Sequence, residues 1–189
     1  MRARRARGSV PYTVPMAVGT LVPLEEYLST NYDPDCDWID GELIERNMGE
    51  FDHSSLQMTI GALLHGQRRA AGIHVFPELR MQVAARRYRV PDILVTTSKG
   101  KGSILREPAF LCVEVLSPED RVTRVEARIG EYLAFGVPYV WMIDPRERKA
   151  WIYTSEGRRE ASEALTTAHP DLRIPLDELF GALDEDLEK

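Results

Sequence analysis

The stretch from Phe110 to Ile143 constrains the fold more than any other part of the chain. It opens with Phe110-Leu111-Cys112-Val113-Glu114-Val115-Leu116, within an Ala109–Leu116 run that is almost wholly apolar apart from Glu114, as a central strand covered on both faces would be. Ser117-Pro118-Glu119-Asp120 then carries the marks of a helix start: Ser as N-cap, Pro at the first helical position, acids in the first turn. The spacing of Val122, Val125, Ile129, Tyr132 and Leu133 continues that helix to Gly136, and Pro138 to Ile143 is apolar again. Strand, helix, strand is a right-handed crossover joining parallel strands. The chain is therefore expected to be an α/β sandwich with a mixed sheet.

The flanking segments fit that frame. Pro23-Leu24-Glu25-Glu26-Tyr27-Leu28 reads as a short helix with Pro in its first turn. Cys36–Ile39 and Glu42–Arg46 make a hairpin across Asp40-Gly41, a pair suited to a two-residue turn with positive φ. From Asp52 to about Ala71, Leu56, Ile60, Leu63 and Leu64 recur at helical spacing until Gly72. Ile73–Val83 and Arg89–Thr96 read as strands, and Lys99-Gly100-Lys101-Gly102-Ser103 as a flexible loop. Asp144-Pro145-Arg146-Glu147 turns the chain into an antiparallel strand over Lys149–Thr154, and Gly157 begins one or two short final strands. Ile174 to Phe180 docks as a helical turn. The domain reading is a basic, disordered leader over 1–19, one domain over 20–182 and a charged tail over 183–189.

Two acids break the apolar pattern: Asp92 in Val90-Pro91-Asp92-Ile93-Leu94-Val95, and Glu114. Burying an unpaired carboxylate costs several kcal/mol, so each needs a partner. A divalent cation shared by the two is one solution, because hard carboxylate oxygens suit Mg²⁺ or Mn²⁺, and such ions serve phosphodiester hydrolysis. The 22 residues between the two acids require adjacent strands to bring them together. Hairpin acids Glu42 and Glu45 could converge on the same sheet edge.

Composition limits the alternatives. With 189 residues, 43% hydrophobic and 29% charged, the chain can bury one substantial core, and it has no apolar run near the roughly 20 residues a membrane helix needs. No apolar stretch like that of a signal peptide follows Met1-Arg2-Ala3-Arg4-Arg5-Ala6-Arg7, so a cytoplasmic location is expected. Cys36 and Cys112 lack metal-type spacing and read as reduced thiols. The net charge of −6 is uneven: four Arg lie in the first 20 residues, leaving 20 basic against 30 acidic side chains. An acidic body binds phosphates only through a local basic stripe. The leader is either a phosphate-binding arm or disordered chain, and Met16 offers an alternative start.

The order of these features, an upstream acid, Pro-Asp on a strand, Glu-Val-Leu-Ser-Pro, a helix, then Gly-Val-Pro-Tyr-Val-Trp-Met-Ile-Asp-Pro, resembles the Uma-two family of restriction endonucleases, within the PD-(D/E)XK nuclease superfamily. The resemblance runs from about Leu24 to Tyr153. It implies a restriction-endonuclease-like core, a mixed β-sheet flanked by helices, in which Asp92 and Glu114 hold Mg²⁺ or Mn²⁺ with the main-chain carbonyl of Val115 as third ligand. It also implies DNA as substrate and a homodimer, which suits cutting two strands about a twofold axis. Glu42 matches the family's upstream acid, and His53 a common His at the head of the next helix.

The chain departs from the pattern at the basic position. Two residues after Glu114 stands Leu116 where the superfamily has Lys, and 14 residues after Glu114, where this family supplies Lys, stands Arg128. Arg cannot act as a base but can hold a phosphate. Arg121 falls beside Arg128 on the helical wheel, whereas Arg124 lies further round and reads as solvated. The remaining lysines are Lys99, Lys101, Lys149 and Lys189.

Plainer roles compete at each position. Asp92 could cap a turn, Glu114 could pair with Arg128 in a buried salt bridge, Glu42 could face solvent, and His53 could pack or cap. Gln82 could touch the site from a neighbouring strand or sit on the sheet surface. His65, His74 and His169 read as surface, and Trp141 and Trp151 as core or interface. Ser117 lacks an elbow motif or a His partner and reads as an N-cap. Two functions stay open: a metal-dependent endonuclease with catalytic Asp92, Glu114, Arg128 and Glu42, or a nuclease-fold module that binds without cutting.

Overall fold

A computed structural model describes residues 21–33, 35–46, 50–118, 120 and 122–187. The leader, Met16, Glu119, Arg121 and Lys189 lie outside the described residues, and with them the expectations placed there.

Helix α1 (Leu24–Ser29) leads into the hairpin β1 (Cys36–Ile39) and β2 (Glu42–Glu45), followed by the long helix α2 (Phe51–Ala71). Strands β3 (His74–Pro77), β4 (Met81–Ala84), β5 (Arg87–Arg89), β6 (Ile93–Thr96) and β7 (Leu111–Val115) precede α3 (Val122–Phe135). Then come β8 (Tyr139–Asp144), β9 (Lys149–Thr154), β10 (Gly157–Glu160), β11 (Ala164–Thr166), β12 (Arg173–Pro175) and α4 (Leu176–Asp186). No described helix is long and apolar enough to cross a membrane.

Local chemistry set several boundaries as expected. Asp40 and Gly41 both take positive φ, 51° and 103°, in the hairpin turn. Gly72 closes α2 at φ 65°, its amide donating to the Arg68 carbonyl in a left-handed cap. Strands β7 and β8 pair in parallel across α3, with Glu114 opposite Met142.

Four expectations need correction, one being Arg89–Thr96, which is split between β5 in a four-stranded sheet and β6 in a six-stranded one. Ile73–Val83 is not one strand: Glu78, at φ 50°, turns the chain, so β3 joins a six-stranded sheet ordered β10-β9-β8-β7-β6-β3 while β4 joins a four-stranded sheet ordered β2-β1-β5-β4. Ser117 does not cap α3. Its amide donates to the Asp120 carboxylate at 2.7 Å, and the Asp120 amide returns a bond to the Ser117 carbonyl, so a side-chain-closed turn occupies the segment and the helix starts at Val122. The final helical turn is instead an eleven-residue helix that runs on to Asp186, with Leu183 buried and the acids after it exposed.

The six-stranded sheet is covered on both faces, which explains its near-continuous apolar strands. Ile93, Val95, Leu111, Val113, Val115, Trp141 and Ile143 pack against α2 and α4. Leu94, Cys112, Val140 and Met142 face the other way, onto Val125, Ile129 and Tyr132 of α3. Glu114 shares that second face by the two-residue alternation of a strand.

An ion network ties the small sheet to α3. Arg89, on β5, donates to Asp37 of β1 at 2.7 Å and to Glu131 of α3 at 2.8 Å, and Arg87 also bonds Glu131. Burial would raise the Glu131 pKa, but the Arg89 and Arg87 guanidiniums outweigh it and hold the carboxyl below its ordinary value. A depressed carboxyl contributes stability above the ordinary carboxylate range and loses it as pH falls through the folded value. Glu131→Gln is therefore expected to lower stability by about 1–2 kcal/mol at pH 7. Thermal melts should show that deficit shrinking towards zero below about pH 4.

Candidate active site

Antiparallel pairing between β6 and β7 aligns Ile93 with Val113. Asp92 precedes β6; continuing that register by one residue would place it opposite Glu114, on the face that looks toward α3, and the bond from the Val115 amide to Asp92 Oδ2 holds it at that strand end. Directly opposed residues on one face have Cβ atoms about 4.5–5.5 Å apart. The burial problem posed by two separate acids thus becomes one problem at one place. Asp92 is 2% exposed and Glu114 1%.

Both acids open into a cavity of about 610 Å³ between the β1–β2 hairpin, the end of the six-stranded sheet and α3. Arg128, Val115 and Glu42 line it too, so the five residues expected to bind metal or act in catalysis reach this cavity, as do His53 and Arg124. Glu42 is exposed at its wall, and Arg124, read as solvated, is exposed but lines the cavity as well. Gln82 does not join them; its side-chain amide donates to the Ala85 carbonyl at 3.4 Å on the surface of the small sheet.

Each carboxylate is held atom by atom. Asp92 Oδ2 accepts from the Val115 amide at 2.7 Å and faces His53 Nε2 at 3.3 Å, and Oδ1 accepts from Arg46 Nη2. Glu114 Oε1 accepts from the Tyr132 hydroxyl at 2.7 Å, and Oε2 lies 3.2 Å from Arg128 Nη2. The two acids consequently titrate in opposite directions. Burial opposes ionisation of Asp92, but the His53 hydrogen bond, the Arg46 charge and the Val115 amide overrule it and hold the pKa below its usual value. For Glu114, burial, aided by the nearby Asp92, outweighs Arg128, Arg46 and Tyr132 and lifts the pKa to about 7.

Sequence reasoning left Arg46 without a role and Tyr132 as core alone. Arg46 ends a hairpin strand, and nothing in its spacing links it to Asp92, 46 residues on. Tyr132 had a usable signal, because it lies one turn beyond Arg128 on α3 and a buried hydroxyl needs a partner. The Val115 main chain was expected to act through its carbonyl; its amide is what the structure shows engaged, on Asp92.

The donor set fits a hard cation. Among the described residues no three His, Cys, Asp or Glu side chains form a metal cluster. Mg²⁺, however, is commonly bound by one or two carboxylates and keeps water in its other positions, which two opposed buried carboxylates in an open cavity satisfy. His53 Nδ1 and Arg128 Nε are buried without a partner among the described residues, so the site also holds unspent polar capacity.

A family model described as "Putative restriction endonuclease", Uma2, matches residues 24–184. Among solved structures, the chain resembles a crystal structure of "a putative nuclease belonging to DUF820" from Anabaena variabilis, with TM-score 0.76, 23% identity, and coverage of 86% of this chain and 99% of that one. A cryo-EM structure of a DrdV–DNA complex superposes with TM-score 0.41 at 18% identity, covering 73% of this chain and 12% of that one. No curated protein matches the chain.

Proposed function

The chain belongs to the Uma2 family, and on that premise we propose that it is a divalent-metal-dependent endonuclease that hydrolyses DNA phosphodiester bonds in the cavity holding Asp92 and Glu114. The observation that carries this reading is the meeting of two buried carboxylates, Asp92 and Glu114, in one cavity, with the Arg128 guanidinium on Glu114. Asp92 and Glu114 would hold Mg²⁺ or Mn²⁺, beside the main chain of Val115. When bound, such an ion polarises a phosphoryl oxygen and makes water a better nucleophile near neutral pH.

The chain's own residues divide the remaining work. Tyr132 and Arg128 fix the rotamer of Glu114, while the Val115 amide and His53 fix that of Asp92. Arg128 stays protonated at any working pH and offers charge to the scissile phosphate and to the charge that builds up on it. Glu42, at the exposed wall, orients water. The working form in this reading is a homodimer with two cavities related by a twofold axis.

The test is cleavage of supercoiled and single-stranded DNA with Mg²⁺ or Mn²⁺, against a chelator control. Cleavage with either cation and none with chelator is expected, and Arg128→Lys should raise the rate on the order of ten-fold, since a Lys at this place can exchange protons as Arg cannot. The second reading, a module that binds without cutting, is favoured by one observation: each carboxylate already has a guanidinium of this chain on it, and no Lys is among the described residues lining the cavity. Absence of cleavage and of any cation-dependent thermal shift, in wild type and Arg128→Lys alike, would decide for that module.

A further inference from the structure

The oxygens of Asp92 are not equally available to a cation. Oδ2 faces two donors, the Val115 amide and His53 Nε2. Oδ1 meets one, Arg46 Nη2, and this guanidinium is the charge that balances Asp92 in the cation-free protein. A divalent ion arriving on Oδ1 would have Arg46 as its immediate neighbour, and like charges at such range repel strongly in a poorly solvated site. Arg46 must then yield its place.

The structure provides somewhere for it to go. Arg46 Nη1 already lies 3.6 Å from Glu78 Oε1, on a side chain that is 53% exposed, whereas the Arg46 side chain is 12% exposed. Gln57 Nε2 bridges the same region, donating to the Asp92 carbonyl at 3.0 Å and lying 3.5 Å from Glu78 Oε1. Arg128 has no comparable alternative among the described residues. Its second anchor, Nε, is buried without a partner, and Glu114 is the carboxylate it meets.

We propose that Arg46 is a built-in competitor for the cation: it occupies Asp92 Oδ1 in the cation-free protein and moves onto Glu78 when a divalent ion enters. The inference rests on the reading that Asp92 and Glu114 take such an ion. It gives Glu78, which no motif marks, the function of an alternative seat, and makes cation affinity depend on how Arg46 divides between two carboxylates.

Titration of the full-length protein with MnCl₂ alone, by calorimetry at fixed pH and ionic strength, tests this without reference to activity. Arg46→Gln is expected to bind Mn²⁺ at least ten-fold more tightly than wild type, and Asp92→Asn to abolish binding in either background. Glu78→Gln should weaken binding several-fold, while Glu45→Gln, which removes another exposed acid from the cavity wall, changes it less than two-fold. If Arg46→Gln binds no more tightly than wild type while Asp92→Asn still abolishes binding, the competitor role falls and the metal site stands. If neither wild type nor Arg46→Gln takes up Mn²⁺, the metal site itself falls. Should Arg46→Gln fail to fold, equal effects of Glu78→Gln and Glu45→Gln would overturn the proposal by themselves.

Discussion

Glu114→Gln is expected to reduce metal-dependent cleavage by about a thousand-fold or more, on the scale of losing a principal electrostatic element of a site, with a smaller fall in melting temperature than Asp92→Asn. The separation of the two effects follows from the carboxyl's own state. Burial lifts the Glu114 pKa to about 7, so losing its charge costs the fold less than losing that of Asp92, although Arg128 is left without its carboxylate. Gln keeps the shape and an acceptor for the Tyr132 hydroxyl, but it brings no charge to a cation. Asp92→Asn should abolish cleavage equally and also destabilise. Its carboxyl is held ionised by His53, Arg46 and Val115, and removing it leaves the buried Arg46 charge with only the exposed Glu78, 3.6 Å away, to balance it. Supercoiled-plasmid assays run beside thermal melts distinguish the two variants; wild-type cleavage by either one would remove the acids from the mechanism.

The largest loss of stability is expected from Arg89→Met. Arg89 is 7% exposed and joins Asp37, itself 2% exposed, to Glu131, so removing it strands the Asp37 carboxylate and leaves Glu131 with Arg87 alone. Breaking a buried ion pair from one side costs about 3–5 kcal/mol, which for a domain of this size is a fall of roughly 10 °C in melting temperature. Replacing all three together, Asp37→Leu, Arg89→Met and Glu131→Leu, should recover most of the loss, because no buried charge is then left unpaired. A triple variant as unstable as the single one would show that the network's geometry matters beyond its charge balance. Cleavage should still be impaired in the triple variant, since Glu131 lies one turn from Arg128 and next to Tyr132 in the chain, and the network sets α3 against the small sheet.

Much of the fold could be read locally. Asp40-Gly41, the spacing of Leu56, Ile60 and Leu64 before Gly72, and the β7–α3–β8 unit each combine a pattern with a stop signal within a few residues. What escaped was decided by non-local pairing. Ile73–Val83 alternates well enough for one strand, and only the left-handed turn at Glu78 sends its halves to different sheets. Ser117-Pro118 has the right residues for a helix start, but the bonds between Ser117 and Asp120 close a turn ahead of the helix, which begins at Val122.

The site divides along the same line. Two acids within apolar strands, and an Arg where a Lys is usual, are properties of the residues themselves, since an apolar run buries whatever interrupts it and a buried carboxylate requires compensation. The requirement does not name the compensating group. That was decided by the pairing of β6 with β7, which brings Asp92 and Glu114 to one cavity, and by the hairpin and helix residues that bring Arg46 and His53 to one acid and Arg128 and Tyr132 to the other. Charge balance in a cavity is summed over every element that reaches it, so it became visible only when all of those elements were in place.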